Sequence, residues 1–234
     1  MGDVNLCEKY PELMQYINFC EYSIPDIALV GVGTMFWVVC YIAVIRHSFK
    51  RKFIEMPMFV AAGNIGWEFV WSFLFITNMG TAFLWGYRAW FFLDLFIFYL
   101  IFVYGYKQTG IPILQKYFKV MFLFVTAFWT IAFYFFVKGG YDTAIGATSA
   151  YMISVGISTL YITLFLFRKD VQDFSWTAAW TRACGDIIMT IFVLRYYNIP
   201  LLLVMGAYVG ILDIIYVILV YRARRELKTR EALA

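Results

Sequence analysis

The stretch Ala61-Ala-Gly-Asn-Ile-Gly-Trp-Glu-Phe-Val-Trp71 places one carboxyl group, that of Glu68, near the middle of an otherwise apolar segment. A charge at the centre of a membrane-spanning helix costs roughly 2.5–3.5 kcal/mol on insertion scales. Asn64 precedes Glu68 by four residues and Trp71 follows it by three, so the three side chains share one helical face. We therefore expect this face to look inward, at a partner, a cavity or a substrate.

The composition indicates that lipid is the main solvent of this chain. Of its 234 residues, 63% are hydrophobic and 15% are charged, and the mean hydropathy is +0.75. A soluble domain carries about 25% charged residues. The net charge of +4 does not indicate nucleic acid binding, because the basic residues lie beside the hydrophobic runs. We expect a multi-pass integral membrane protein.

Seven hydrophobic segments predict an all-α fold, an integral membrane bundle of seven transmembrane helices of about 20 residues each. The expected spans are about 26–45, 57–77, 85–106, 117–137, 144–167, 176–197 and 200–221.

Basic residues are concentrated on one side of these spans, in the loops after the first, third and fifth and in the tail. The positive-inside rule then places the N-terminus outside and the C-terminus in the cytoplasm. We divide the chain into an N-terminal interfacial segment (1–25), a transmembrane domain (26–221) and a basic cytoplasmic tail (222–234). Residues 9–22 are expected to form a short interfacial helix.

Signatures of soluble enzymes and metal sites are absent from the sequence. It has no Asp-Asp-x-x-Asp, Gly-x-Ser-x-Gly, P-loop or His-Glu-x-x-His motif. The four cysteines lack the spacing of metal ligands, although Cys7 and Cys20 could pair if the N-terminus faces an oxidising compartment. The seventh span has no lysine, which argues against a retinal Schiff base. We expect no metal and no cofactor.

Four acidic residues lie near the middle of predicted spans: Glu68, Asp94, Asp186 and Asp213. Arg182 lies four residues before Asp186, which favours a structural ion pair between them. The sequence does not distinguish two roles for Asp94, which are a hydrogen bond between helices and a function in the site. Glu68 and Asp213 have no evident structural partner, so the functional interpretation is strongest for these two.

An unpaired carboxylic acid in an apolar pocket is favoured in its neutral form and can donate a proton. Two such acids facing each other could share a proton, so that one acts as the acid and the other positions or reloads it. Trp71 and Tyr216 each lie one helical turn from a buried acid and could stabilise a cation with their ring faces. Most other aromatic side chains are expected to face lipid or the membrane interface.

A faint internal repeat, which we call the sequence echo, supports a different function. Ala62-Gly-Asn64 resembles Cys184-Gly-Asp186, and Leu93-Asp-Leu95 resembles Leu212-Asp-Ile214. Parallel three-helix repeats occur in transporters. A small-solute membrane transporter with two parallel three-helix repeats is therefore the alternative function. A structural or receptor-like protein, in which the acids only join helices, is a further possibility.

Three motifs, in order along the chain, resemble the membrane-integral terpene cyclases of fungal meroterpenoid and indole-diterpene biosynthesis and their bacterial relatives. They are Asn64-Ile-Gly-Trp-Glu68, Trp90-Phe-Phe-Leu-Asp94 and Asp213-Ile-Ile-Tyr216. The resemblance implies a seven-helix cyclase that protonates an epoxide or terminal alkene of a linear prenyl chain. Such a proton-initiated, class II-like enzyme is an isomerase or lyase and ionises no diphosphate.

The resemblance implies that the catalytic acids are Glu68 and Asp213, the pair that the residues themselves favour. We expect Glu68 to donate the proton and Asp213 to reload or orient it. The secondary or substrate-binding candidates are Asn64, Trp71, Asp94 and Tyr216. Asn64 would orient Glu68, and the rings of Trp71 and Tyr216 would shield the cation. Asp94 would orient a neighbouring side chain or accept the final proton. The expected partners are a lipophilic prenylated small molecule and membrane lipid.

Overall fold

Seven α-helices follow one another in a computed structural model, which describes residues 10–168 and 170–233. They are α1 (Ile24–Arg51), α2 (Met58–Phe69), α3 (Thr81–Tyr104), α4 (Pro112–Lys138), α5 (Ala147–Phe167), α6 (Trp176–Tyr196) and α7 (Pro200–Leu233). Short 3-10 helices cover Pro11–Leu13, Gly105–Gln108 and Val171–Asp173, and a π-helix covers Val70–Leu74. These ranges contain no β-strand, so the predicted all-α fold is confirmed.

Six of these helices, all except α2, are long and apolar enough to cross a membrane. This finding confirms the prediction of a multi-pass membrane protein. The second span differs from the expectation of one helix over 57–77, because its α-helix ends at Phe69 and continues as the π-helix Val70–Leu74. The wider π turn begins at Val70, two residues after Glu68, and such turns are frequent at functional sites.

The N-terminal segment does not form the expected interfacial helix over residues 9–22. From Tyr10 onward, the described residues form only the 3-10 helix Pro11–Leu13 and a series of turns. Contacts with the loop after α2 fix these turns, since the Asn18 side-chain amide donates to the carbonyl oxygen of Asn78 (2.8 Å). Cys7 lies outside the described residues, so its pairing with Cys20 stays a prediction.

The basic tail continues α7 as helix and is not a separate element, because α7 extends from Pro200 to Leu233. The loop before α2, the loop before α6 and this extension meet at one end of the bundle, where Arg224 donates to the carbonyl oxygen of Phe174. We call this the basic end, since Arg51, Lys107 and Arg168 also lie in its loops and helix ends. Its cytoplasmic location stays a prediction.

The helices pack in a pattern with approximate twofold symmetry. Helix α6 packs on α1 and α7, α2 packs on α5 and α3, α5 packs on α7, and α1 packs on α3. Exchanging α1, α2 and α3 for α5, α6 and α7 maps each of these contacts onto another one. The glycines of the sequence echo occupy corresponding places, with Gly63 against Ile153 of α5 and Gly185 against Trp37 of α1. This is the packing expected of two three-helix repeats joined by α4.

Candidate active site

A cavity of about 120 Å³ lies between α1, α2, α3, α5 and α6. Apolar and aromatic side chains form most of its wall, and polar groups enter mainly from α2 and α6. The lining residues are Trp37, Cys40, Tyr41, Val44, Met56, Asn64, Trp67, Glu68, Trp90, Ile97, Ala150, Ile153, Ser154, Ile157, Tyr161, Arg182 and Asp186. A largely apolar cavity with a few convergent polar groups is the usual form of a small-molecule site.

The first polar group of the cavity is an acid cluster around Asn64 of α2. The Asn64 amide nitrogen lies 3.1 Å from Oε1 of Glu68 and 2.8 Å from Oδ2 of Asp94 on α3. It also lies 2.9 Å from the hydroxyl of Tyr41 on α1, and that hydroxyl donates to Glu68 Oε1 at 2.6 Å. Three helices therefore bring two carboxyl groups onto one amide, and no cation takes part in these contacts.

Only one oxygen of the Glu68 carboxyl group is held by these donors. Oε1 accepts from both Tyr41 and Asn64, whereas Oε2 is buried and has no hydrogen-bond partner among the described residues. Buried polar atoms are rarely left unpaired in proteins. Oε2 is thus the atom of the Glu68 carboxyl group that is available to a molecule in the cavity, which Glu68 lines.

The second polar group contains a cation and lies mainly on α6 and α7. The Arg182 guanidinium group lies 3.2 Å from Asp186 and 3.4 Å from Asp213. It also donates to Ser158 Oγ at 2.7 Å, and Trp37 Nε1 donates to Asp186 at 2.8 Å. One arginine between two carboxylates leaves a net charge of −1 when all three are ionised.

The structure separates the two acids that were predicted from the sequence to act as a pair. Asp94 shares Asn64 with Glu68, whereas Asp213 shares Arg182 with Asp186. The expectation that Asp213 has no structural partner is wrong, because the partner comes from a neighbouring helix and not from its own. The expected ion pair between Arg182 and Asp186 is confirmed.

The two aromatic candidates lie in the layer behind the cavity wall. Trp71 is buried, and its ring packs against Trp67, which lines the cavity, with centroids 6.4 Å apart. Tyr216 is buried against the lining residue Tyr161, with centroids 5.2 Å apart. Both candidates can therefore support the wall without forming its surface.

Two residues of the site could not be predicted from the sequence, Tyr41 as the donor to Glu68 and Arg182 as the partner of Asp213. Tyr41 is one of 18 tyrosines, and no motif distinguishes it. The contact of Arg182 with Asp213 requires knowledge of how α6 packs on α7, which spacing along one helix cannot supply. An arginine inside a predicted span was the available signal.

Comparison with known proteins identifies the family of this chain. Residues 13–226 match the family described as Pyr4-like transmembrane terpene cyclases. The chain therefore belongs to this family, and the assignment does not favour the transporter alternative.

Two curated relatives come from fungi. Over an alignment of 174 residues, the chain is 24% identical to the terpene cyclase macJ of Penicillium terrestre, and the match covers 70% of this chain and 64% of macJ. It is 35% identical to the terpene cyclase ascF of Acremonium egyptiacum over 46 residues, which make up 20% of this chain and 17% of ascF. The chain thus spans less than two thirds of the length of either relative. No solved structure matches it.

Proposed function

We propose that this protein is a transmembrane terpene cyclase that protonates the terminal alkene or epoxide of a linear prenyl chain and guides the cyclisation of the resulting cation. The observation that carries the proposal is the acid cluster of Glu68, Asn64 and Asp94 beside an aromatic cavity. Membership of the cyclase family supports the reaction class. The proton-initiated step rests on the arrangement of these side chains.

In the proposed first step, Glu68 transfers the proton from Oε2 to the terminal alkene carbon or to the epoxide oxygen. Tyr41 and Asn64 stabilise the carboxylate that forms, because both donate to Oε1. Each π bond of the chain then attacks the cationic carbon and forms a carbon–carbon bond. Loss of a proton from the last cation ends the sequence, so that product and substrate have the same mass.

Asp94 is placed to return a proton to Glu68 after each turnover. Its Oδ2 accepts from the same Asn64 nitrogen as Oε1 of Glu68, and it is 1% exposed. Two carboxyl groups this close and without a cation are both favoured in their neutral forms, so Asp94 holds a proton of its own that it can pass to the Glu68 carboxylate. We assign Asp94 the role of proton store, which was expected of Asp213 from the sequence.

The Arg182 cluster supplies negative charge to the other side of the cavity. Asp186 lines the cavity, and Asp213 acts through Arg182 by holding its guanidinium group in place. An ionised Asp186 can stabilise a nearby carbocation and accept the final proton. The rings of Trp37 and Trp90 line the same wall and add cation–π stabilisation.

The test uses membranes that carry the wild-type chain and a panel of farnesyl and geranylgeranyl ethers, each with and without a terminal epoxide. We expect an isomer of unchanged mass and new retention time for at least one substrate in liquid chromatography–mass spectrometry. Glu68→Gln should lower its formation by about 100-fold or more, since it removes the acid. The control is Glu12→Gln, which changes an exposed acid in the 3-10 helix before α1. Normal cyclisation by Glu68→Gln would refute the assignment.

A further inference from the structure

A chain of hydrogen bonds leads from the loop between α4 and α5 to the wall of the cavity. Trp67 lines the cavity beside Glu68, and its indole Nε1–H donates to Ser149 Oγ on α5 at 2.8 Å. The Ser149 hydroxyl donates in turn to Oδ2 of Asp142 in the loop. Asp142 thus reaches the cavity wall through one serine, and the proton transfer from Glu68 uses neither of these two residues.

The first turn of α5 holds the Asp142 carboxyl group in place. Its Oδ1 accepts from the backbone nitrogens of Thr143 (2.8 Å), Thr148 (2.9 Å) and Ser149 (3.3 Å). Oδ2 accepts from the Ser149 hydroxyl, whose other acceptor, the carbonyl oxygen of Gly146, is farther away at 3.3 Å. Burial raises the pKa of Asp142, and its four donors oppose that rise because they stabilise the ionised form.

The same loop fixes the Trp67 ring from other sides. Gly146, with a φ of +74°, brings the loop so close that an added Cβ would lie 3.0 Å from the ring. Tyr87 packs against Trp67 in a T-shaped arrangement, with centroids 5.6 Å apart, and donates to the carbonyl oxygen of Ile145 at 3.0 Å. The orientation of this indole ring is therefore determined by its N–H and by its packing together.

A negative charge at the end of the hydrogen-bond chain also changes the electron density of the ring. Hydrogen bonds in a chain polarise one another, so an ionised Asp142 makes Ser149 Oγ a stronger acceptor for the indole N–H. Ser149 is fully buried, so water does not compete for this contact. The Trp67 ring gains electron density in this way, and a ring face that is richer in electrons attracts a cation more strongly.

We propose that Asp142, acting through Ser149, positions and polarises the Trp67 ring, and that this ring stabilises the carbocation formed beside Glu68. Asp142 is thus a positioning residue, and Trp67 is the group that meets the substrate. The inference rests on the proposed function and adds to it the group that receives the first cation. Trp67 and Glu68 are consecutive residues of α2 and line the same cavity, so the cation forms next to the ring.

The kinetic test breaks the chain at its middle. Ser149→Ala removes the bridging hydroxyl, and we expect kcat to fall about fivefold with KM unchanged, because the lost interaction acts on the cation and not on the neutral substrate. Asp142→Asn should have the same effect, since the amide has a similar size but no charge.

The matched control is Thr143→Ala, which removes another hydroxyl from the start of α5. Thr143 Oγ1 accepts from the backbone nitrogen of Ala147 at 2.8 Å, and Thr143 does not line the cavity. The variant keeps the backbone N–H that donates to Asp142. We expect it to keep the kcat of the wild type, whatever it does to the unfolding temperature.

A double-mutant cycle shows whether Ser149 acts through the ring. Trp67→Phe keeps an aromatic ring but lacks the N–H, so it disconnects the chain. In the Trp67→Phe background, Ser149→Ala should change kcat by less than about twofold. A merely structural role of Ser149 would lower kcat by the same factor in both backgrounds.

The binding test needs no turnover and separates cation stabilisation from packing. One ligand is an analogue of farnesyl methyl ether with a trimethylammonium group at its tail end, and the other is its isostere with an uncharged tert-butyl group. Both are titrated into the Glu68→Gln protein in detergent, so that the acid takes no part. We expect Ser149→Ala to weaken binding of the ammonium compound about fivefold and to leave binding of the tert-butyl compound unchanged. Thr143→Ala should change neither.

Three results would overturn the inference. They are an affinity change in Ser149→Ala that does not distinguish the charged from the uncharged ligand, equal kcat values in Ser149→Ala and Thr143→Ala, and a loss of kcat in Ser149→Ala that is as large in the Trp67→Phe background. If Ser149→Ala does not fold, Asp142→Asn takes its place in each comparison. A wild-type chain that cyclises no substrate but loses its preference for the ammonium compound in Ser149→Ala would refute the proposed function and leave Trp67 as a polarised, cation-binding ring.

Discussion

Arg182 on α6 and Asp213 on α7 form an ion pair in the interior of the bundle, with Nη1 and Oδ1 3.4 Å apart. Their side chains are 12% and 3% exposed, so both charges are largely withdrawn from solvent. Asp186 shares the same guanidinium group at 3.2 Å. The arginine is therefore the only cation in these contacts that compensates two buried carboxylates, and it joins α6 to α7.

Replacing this arginine should destabilise the fold. Arg182→Gln leaves Asp186 and Asp213 as unpaired acids, and removal of one partner from a buried ion pair costs about 3–5 kcal/mol. We expect a clearly lower temperature of thermal unfolding in detergent. The control is Arg222→Gln, an exposed arginine of α7. Equal unfolding temperatures for the two variants would show that the pair does not support the bundle.

Asp94→Asn should separate the first turnover from the later ones. Asparagine preserves the size of the side chain and an oxygen that can accept from Asn64, but it cannot store a proton. We expect a normal first turnover in rapid-quench measurements and a steady-state rate lowered about tenfold. A variant that is equally slow in the first turnover would assign Asp94 to the chemical step itself, and unchanged rates would remove it from the mechanism.

Glu55→Gln should make the stability of the protein less dependent on pH. Glu55 lies in the loop before α2, where burial raises its pKa to about 8, and its Oε2 accepts from the backbone nitrogen of Ser175 at 2.7 Å. The folded protein thus holds a proton that the unfolded chain releases near pH 4.5. The associated stability is complete below that pH and is lost as pH rises through about 8.

The measurement is thermal unfolding in detergent at pH 5, 6, 7 and 8 (about one unit apart, to cover the titration window). Glutamine can still accept from Ser175, so the variant should lose less stability over this interval than the wild type. Parallel curves for the two proteins would show that Glu55 keeps an ordinary pKa.

Gly146→Ala should disturb the packing of Trp71. Gly146 has a φ of +74°, and an added Cβ would lie 2.5 Å from the Trp71 indole ring. Gly140 is a matched control, since its φ is +77° but nothing lies within 4 Å of the position that an added Cβ would take. Both variants strain the backbone by about 1–3 kcal/mol. Gly146→Ala should unfold at a lower temperature than Gly140→Ala, and equal temperatures would argue against a tight contact.

Sequence patterns predict this molecule well along each helix and poorly between helices. Hydrophobic runs locate all seven helices, and the spacing of four residues correctly pairs Arg182 with Asp186 and Asn64 with Glu68. The partners of Asp94 and Asp213 were beyond such reasoning, because each contact crosses from one helix to the next. Amphipathic spacing also predicted a helix over 9–22 that the structure does not contain. Contacts with the loop after α2 determine the backbone conformation of this segment.

The approximate twofold packing of the helices has a consequence for the course of the proposed reaction. In the sequence echo, Asn64 corresponds to Asp186 and Asp94 corresponds to Asp213. Only Asp186 and Asp213 contact a cation, which is Arg182. Two similar halves thus present chemically opposite walls to the same cavity. Under the proposed mechanism, a substrate between them would meet the acid Glu68 on one side and the Arg182 cluster with its two carboxyl groups on the other. In that mechanism, the asymmetry would give the migrating positive charge a direction, from the α2 wall towards the α6 wall.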